Sequence, residues 1–153
     1  MDDDVFRTAL KKAMAICASS ENCTYDIRHK LSVWKINKDD SGKIIDLLTG
    51  EKFIDDLRYA RAFTRDKFRQ NKWGRIKIAS QLRMKEIPEN IITEALSGIS
   101  NDEYREMLKE ILSSHHRKVK AKNRFEMKGK LMRYGLSKGF ESQLIYDLLN
   151  EID

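Results

Sequence analysis

The sequence lacks the features that mark several large classes of protein. Its 153 residues contain a single proline and two cysteines, Cys17 and Cys23, and no long apolar run follows the acidic start. Two lone thiols argue against a disulfide framework or a zinc site, and they favour a reducing cytosol. Without a long apolar run, we expect neither a signal peptide nor a membrane span.

Motifs for catalysis and nucleotide binding are also missing. The sequence has no phosphate-binding loop, no glycine-rich nucleotide fingerprint and no HExxH helix. His115 and His116 are adjacent, so on a helix they point about 100° apart and cannot share a metal. Asp55 and Asp56 precede a predicted helix, where capping is their expected role. We therefore expect no enzyme activity and no cofactor.

Charge is the most prominent feature that is present. Charged residues make up 35% of the chain and apolar residues 41%, with a net charge of +6 and a pI near 9.3. A basic balance favours an acidic partner, such as nucleic acid or a protein bound to it.

Apolar residues recur at helical spacing in three parts of the chain. In the central part, Gly74 suits a connection between helices and Pro88 can open the next helix. The first part predicts a helix from Val5 to Ala18 with an apolar stripe, then a helix capped by Thr24. The stripe of that first helix comprises Phe6, Leu10, Ala13, Met14 and Cys17.

The three parts are related by an internal repeat. The matching sets are Tyr25, Ile27, Leu31 and Ile36; Ile76, Ile78, Leu82 and Ile87; and Phe125, Met127, Leu131 and Leu136. The pairs Ile44-Ile45, Ile91-Ile92 and Leu144-Ile145 also correspond. Agreement at this many positions predicts an all-α fold of three tandem three-helix repeats, residues 1–52, 53–98 and 99–153. Because each repeat is too small to bury a large core alone, we expect them to pack together in an elongated, curved body.

Basic residues concentrate at equivalent places in the second and third repeats. We define the middle cluster as Arg65, Lys67, Arg69, Lys72, Arg75, Lys77, Arg83 and Lys85. The C-terminal cluster comprises Arg117, Lys118, Lys120, Lys122, Arg124, Lys128, Lys130, Arg133 and Lys138. If the repeats are related by a regular rotation, both clusters lie on one side of the body. The middle cluster, and the C-terminal cluster as far as Lys130, form the predicted contact set for a polyanion or an acidic protein.

Two alternatives remain at this point. Basic residues on exposed helix faces often serve solubility alone, and neither cluster has the residue pattern of a base-reading helix. Backbone phosphate or protein contact is therefore the better interpretation. Trp73 stands beside Gly74 among basic residues, where it could stack on a base or pack between two helices; the packing role is favoured.

Three stretches of the central segment form a recognisable pattern: Phe53 to Phe63, Trp73 to Ile78 and Gln81 to Ile87. Together they resemble the signature of the RecX family of bacterial regulatory proteins. The resemblance extends over the whole chain, since that family is also built of three-helix repeats. Leu57 and Glu86 depart from the pattern, because an acidic residue and a glycine are usual at these two positions.

The resemblance implies a cytoplasmic protein that binds the RecA recombinase and the RecA–DNA filament. Such a protein mainly inhibits strand exchange, ATP hydrolysis and repressor cleavage, and so regulates DNA repair and the SOS response. A monomer without a membrane partner is expected, with possible direct contact to the phosphates of single- or double-stranded DNA. The alternatives are a DNA-binding repeat protein that acts without RecA and a helical adaptor for another protein.

Overall fold

The computed structural model describes residues 2–152, and within them the chain folds into nine α-helices. The bounds are α1 Asp2–Ser19, α2 Thr24–Val33, α3 Lys38–Gly50, α4 Asp56–Arg69, α5 Arg75–Met84, α6 Glu89–Leu96, α7 Asn101–Lys118, α8 Arg124–Ser137 and α9 Ser142–Ile152. Helices contact one another in consecutive groups of three. The predicted all-α class and its tandem three-helix repeats are confirmed. Met1 and Asp153, the outer ends of the first and third predicted repeats, lie outside the described residues.

Several helices begin where a side chain caps the first turn. Asn37, Asp55, Ser100 and Asn123 each accept a hydrogen bond from the backbone N–H three residues later. The predicted capping by Asp55 is thus confirmed, as is the start of a helix directly after Pro88. The prediction for Thr24 was wrong. Thr24 is the first residue of α2, and the N-cap is Cys23, whose backbone N–H donates to the Asp26 carboxylate at 3.4 Å.

The buried side chains form two cores. The first repeat has its own core, comprising Ala9, Ala13, Ile27, Leu31, Ile44, Ile45, Leu48 and Ile54. The second core runs without interruption through repeats two and three, and includes Leu82, Tyr104, Leu131 and Phe140. Cys23 belongs to this second core although it precedes α2, so the first repeat is anchored in the second. The predicted apolar stripe of α1 included Met14, which is 36% exposed, and omitted Ala9, which is buried.

The repeat register differs from the prediction because α8 is one turn longer than α2 and α5. After each of these helices the chain makes the same backbone hydrogen bond, donated by Ile36, Ile87 and Phe140 to the carbonyl oxygen five residues earlier. Phe140, which is fully buried, is therefore the structural equivalent of Ile36 and Ile87. The predicted equivalent, Leu136, is 46% exposed.

A corresponding shift affects the third helix of the first repeat. Ile91 lies three residues after the N-cap of α6, whereas Ile44 lies seven residues after the N-cap of α3. Counted from the N-caps, Ser41 is the equivalent of Ile92. The Ile44-Ile45 pair therefore lies one helical turn further along its helix than the Ile91-Ile92 pair with which the prediction aligned it. Ser41 is buried, so the first repeat has a polar residue where the second has an isoleucine.

Neighbouring repeats meet at the N-terminus of α2 and at that of α5. The Thr24 N–H of α2 donates to the Asp56 carboxylate at 2.8 Å. At α5, the N–H groups of Gly74 and Ile76 donate to the carbonyl oxygens of Lys138 and Gly139, at 2.7 and 3.0 Å. The N–H groups at a helix start lack partners within their own helix, and here the next repeat supplies them.

The turn after each middle helix contains one residue with a left-handed backbone. These residues are Lys35, Glu86 and Gly139, with φ of 62°, 56° and 93°. The conformation favours glycine because a Cβ is crowded there. It explains why glycine is usual at the position of Glu86 in the family that the sequence resembles.

Candidate functional site

The middle cluster does not form one uniform surface, because Arg75 binds within the protein. Its guanidinium lies 4.0 Å from the centre of the Tyr104 ring and donates to the Ile99 carbonyl at 3.1 Å. It also donates to the Asn101 side chain at 3.2 Å. These partners lie between the end of α6 and the start of α7, so Arg75 ties the second repeat to the third.

Lys85 has a similar role at the first junction. Its ammonium group lies 2.5 Å from the Asp26 carboxylate and 5.6 Å from the centre of the Tyr25 ring, both on α2. Bonding to Asp26 raises the pKa of Lys85, although partial burial opposes the shift. Arg83 forms an ion pair with Glu89 at the start of α6. Neither basic group is unpaired on the surface.

Trp73 packs inside its repeat, as the favoured alternative predicted. Its ring meets the edge of Phe63, with the ring centres 6.4 Å apart. The ammonium groups of Lys67 and Lys77 lie 5.1 and 4.7 Å from the centre of the indole ring. Because two cations and an aromatic ring already contact Trp73, a stacked base finds little free ring surface there.

The remaining members of the middle cluster are the most accessible. Arg65 is exposed on α4. Arg69 and Lys72 lie 4.0 and 3.6 Å from the carboxylates of Glu103 and Glu110 on α7. At these distances between exposed groups the ion pairs are weak, so both cations can exchange partners.

The C-terminal cluster is more continuous. Five of its residues are exposed, at the end of α7, in the following connection and at the start of α8: Arg117, Lys118, Lys120, Lys122 and Arg124. Lys130 is half-buried, where it donates to the Lys120 carbonyl at 2.6 Å and pairs with Glu126 at 3.3 Å. Glu126 is the single acidic residue of this segment. Bonding to the backbone of Lys122 and to Lys130 lowers its pKa.

The two clusters meet at Lys138. Its ammonium group donates to the Asn71 carbonyl at 2.7 Å, across the junction of repeats two and three. Burial lowers the pKa of Lys138, and the nearby charges of Lys77 and Lys72 lower it further. Lys72 and Lys77 of the second repeat therefore lie near Lys138 of the third.

Phe125, a member of the apolar set that recurs in the three repeats, is a surface residue. Its side chain is 88% exposed, and the equivalent residues Tyr25 and Ile76 are 38% and 53% exposed. The spacing that identified the repeat was correct at these positions, but they face outward. The equivalent leucines Leu31, Leu82 and Leu131 of the same sets are buried.

The two adjacent histidines lie in different surroundings. His115 is half-buried and stacks on Tyr134, with ring centres 3.8 Å apart and planes 4° from parallel. His116 is exposed and lines a cavity of about 380 Å³ beside the start of α8. Among the described residues, no group of three or more metal-ligating side chains is placed to hold an ion.

Comparison with known proteins connects this architecture to one family. Models described as "RecX, second three-helix domain" and "RecX, third three-helix domain" match residues 55–96 and 102–149. A protein named regulatory protein RecX from Prosthecochloris aestuarii is 30% identical over 155 residues, which cover 99% of this chain and 98% of the relative. The chain belongs to the RecX family.

Other RecX proteins are similar over different shares of their length. Regulatory protein RecX from Clostridium acetobutylicum is 28% identical, and the alignment covers 99% of this chain and 72% of that relative. A crystal structure of regulatory protein RecX superposes with a TM-score of 0.89, covering 98% of this chain and 73% of that one. The crystal structure of RecX from Lactobacillus salivarius superposes with a TM-score of 0.84, covering 99% of this chain and 98% of that one. Both structures are 23% identical to this chain and establish the shared fold.

RecX membership also agrees with the extent of the described helices. The matched ranges coincide with α4–α6 and α7–α9, the repeats that share one core. No described helix is long and apolar enough to span a membrane.

Proposed function

We propose that this chain binds the RecA recombinase and the RecA–DNA filament in the cytoplasm. Through that contact it mainly inhibits strand exchange, ATP hydrolysis and repressor cleavage, and so regulates DNA repair and the SOS response. The observation that carries the proposal is the 30% identity to a RecX regulatory protein along nearly the whole chain.

The distribution of basic residues supports a division of the predicted contact set. Arg75, Arg83 and Lys85 make contacts inside the protein, so we assign them to the structure rather than to a partner. The proposed contact surface consists of the exposed members Arg65, Arg69, Lys72, Arg117, Lys118, Lys120 and Lys122. Their spread over two repeats suits contact with DNA phosphates and acidic protein groups, and it does not suit base readout.

A strand-exchange assay with the cognate RecA tests the proposal. We expect the parent protein to slow strand exchange at stoichiometric amounts. A variant with Arg117, Lys118, Lys120 and Lys122 all changed to Gln should inhibit less, while its melting temperature stays unchanged because exposed charges add little stability. The matched control changes Lys11, Lys38, Lys43 and Lys109 to Gln, four exposed lysines outside both clusters. Unimpaired strand exchange with the parent protein would contradict the proposal.

DNA binding without RecA is the second candidate function. It is favoured by the five exposed basic residues between Arg117 and Arg124. The affinity for duplex and single-stranded DNA, measured against salt concentration, distinguishes the two functions. Tight binding with a steep salt dependence and no effect on RecA would favour this second function.

A further inference from the structure

Phe125 is the most exposed large apolar side chain among the described residues, at 88%. It is the second residue of α8, directly after Arg124. Burial in the core does not explain a phenylalanine at this position, because the ring contributes almost nothing to the apolar area removed from water. A bulky ring kept in solvent is better suited to contact with a ligand.

In the two preceding repeats, the equivalent residue lies at a junction. The Tyr25 ring lies under the ammonium group of Lys85 from the second repeat. The backbone N–H of Ile76 donates to the Gly139 carbonyl of the third repeat. Phe125 stands at the same place in the third repeat, but its ring is 88% exposed, so the described residues cover almost none of it.

The ring is also open toward its own helix. Side chains four residues apart share a helix face, and the residue four positions after Phe125 is Gly129. Glycine has no side chain to stack on the phenyl group. The residue three positions after Phe125 is Lys128, whose ammonium group lies 3.4 Å from the side-chain oxygen of Asn150 on α9.

The charge around the ring is strongly positive. Lys118, Lys120, Lys122 and Arg124 precede Phe125 within eight residues, and all four are exposed. The nearby carboxylate of Glu126 is neutralised by Lys130 at 3.3 Å. An open aromatic ring bordered by cations matches the combination with which proteins bind single-stranded nucleic acid. Bases in a duplex are already stacked on one another, so the ring adds affinity only for unpaired bases.

We infer that Phe125 is a stacking platform for an unpaired base of single-stranded nucleic acid, whose phosphates contact the basic residues of segment 117–128. The site shares basic residues with the proposed function but needs no RecA. It adds a preference for single strands, which phosphate contact alone does not provide.

Fluorescence anisotropy with labelled oligothymidylate tests the inference in the absence of RecA. Phe125→Ala should weaken binding about ten-fold, while Phe125→Trp restores it, because the loss of one stacked base has an effect on that order. The same substitution should leave the affinity for a duplex and for an abasic oligonucleotide of equal length unchanged. Tyr146→Ala is the matched control, since Tyr146 is an aromatic residue of the same repeat and 57% exposed. Oligouridylate in a parallel titration shows whether RNA is bound as well as DNA.

Several outcomes would overturn the inference. Equal affinity of the parent and Phe125→Ala for oligothymidylate is one, and no binding by the parent at low salt is another. If Phe125→Ala weakened binding to the abasic oligonucleotide equally, Phe125 would shape the binding surface without stacking on a base. Weakened binding to anionic vesicles or loss of self-association, without an effect on oligothymidylate, would point to a membrane or to a second copy of the chain. The inhibition of RecA is measured separately, so failure of this site and failure of the proposed function give different results.

Discussion

The hydroxyl of Tyr104 accepts a hydrogen bond from the backbone N–H of Arg75 at 2.9 Å, and it donates one to the Glu141 carboxylate. Tyr104 is 1% exposed and packs between the rings of Phe68 and Phe140. Burial raises its pKa, and the bond to Glu141 adds to the effect. The Tyr104 side chain on α7 thus supplies a hydrogen-bond partner both to the first residue of α5 and to Glu141, the residue before α9.

Tyr104→Phe should destabilise the protein by about 1–3 kcal/mol, because the Arg75 N–H and the Glu141 carboxylate lose a partly buried partner. Urea unfolding followed by circular dichroism measures the change. Tyr146→Phe is the control, because Tyr146 is 57% exposed. Equal stability of the two variants would show that the Tyr104 hydroxyl does not hold the repeats together.

The close backbone contact between Gly74 and Gly139 gives a second prediction. A Cβ on Gly74 would lie 2.3 Å from the Gly139 carbonyl oxygen, and one on Gly139 would lie 2.2 Å from the Lys77 Cβ. Neither contact is possible without moving the backbone, so Gly74→Ala and Gly139→Ala should each cost about 1–3 kcal/mol or more. Thermal unfolding of both variants checks this.

Gly42→Ala is the control for the glycine variants. Gly42 lies inside α3 and has open space around its Cβ position. This change should stabilise the protein by about 0.5–1 kcal/mol, since alanine favours a helix more than glycine does. A loss of stability at Gly42 similar to that at Gly74 would argue against the proposed packing of the two glycines.

The helical periodicity in the sequence was sufficient to predict the fold, but not the roles of individual basic residues. Ile27, Ile78 and Leu131 are buried because a helix presents them to its own repeat, which is a local property that spacing reveals. Arg75 and Lys85 contact residues 26 and 59 positions away, and no local pattern distinguishes them from surface cations. Their structural role depends on how the repeats pack.

The exposure of Phe125 could not be predicted from its spacing. An apolar residue recurs at this position in all three repeats, yet Tyr25 and Ile76 are also 38% and 53% exposed. The extra turn of α8 was missed because Leu136 happens to lie at the spacing that Ile36 and Ile87 have in the other repeats. The sequence signal that could have identified Phe140 as the equivalent of Ile36 and Ile87 is Gly139, which forms the bend directly before it.

Thr64 on α4 is predicted to limit stability. It is 2% exposed, and its hydroxyl oxygen has no hydrogen-bond partner among the described residues. A buried hydroxyl without a partner costs about 1–3 kcal/mol, so Thr64→Val, which keeps the shape, should raise the free energy of unfolding by about 1 kcal/mol. Thr93→Val on the exposed side of α6 is the control, where little change is expected. Destabilisation by Thr64→Val, measured by urea unfolding, would show that the hydroxyl is bonded after all.

The fully buried thiol of Cys23 predicts how stability depends on pH. Burial is the main cause that raises its pKa from 9.0 to about 12, and the charge of Asp26 contributes to the rise. Above pH 9 the unfolded chain therefore releases the Cys23 proton while the native protein keeps it. Because the unfolded state then binds fewer protons, the free energy of unfolding falls as pH rises, by about 1.4 kcal/mol for each pH unit between about 9 and 12. Below pH 9 this contribution is constant.

Comparison of the parent with Cys23→Ala isolates this effect from the other groups that titrate in alkali. Urea unfolding at about pH 8 and about pH 10 should show a greater loss of stability in the parent, because alanine has no proton to release. Cys17 and the lysines remain in both proteins, so their contributions cancel in the difference. If the two proteins lose the same free energy over this interval, Cys23 titrates alike in the native and unfolded states, and its thiol is not held in the shared core as the packing indicates.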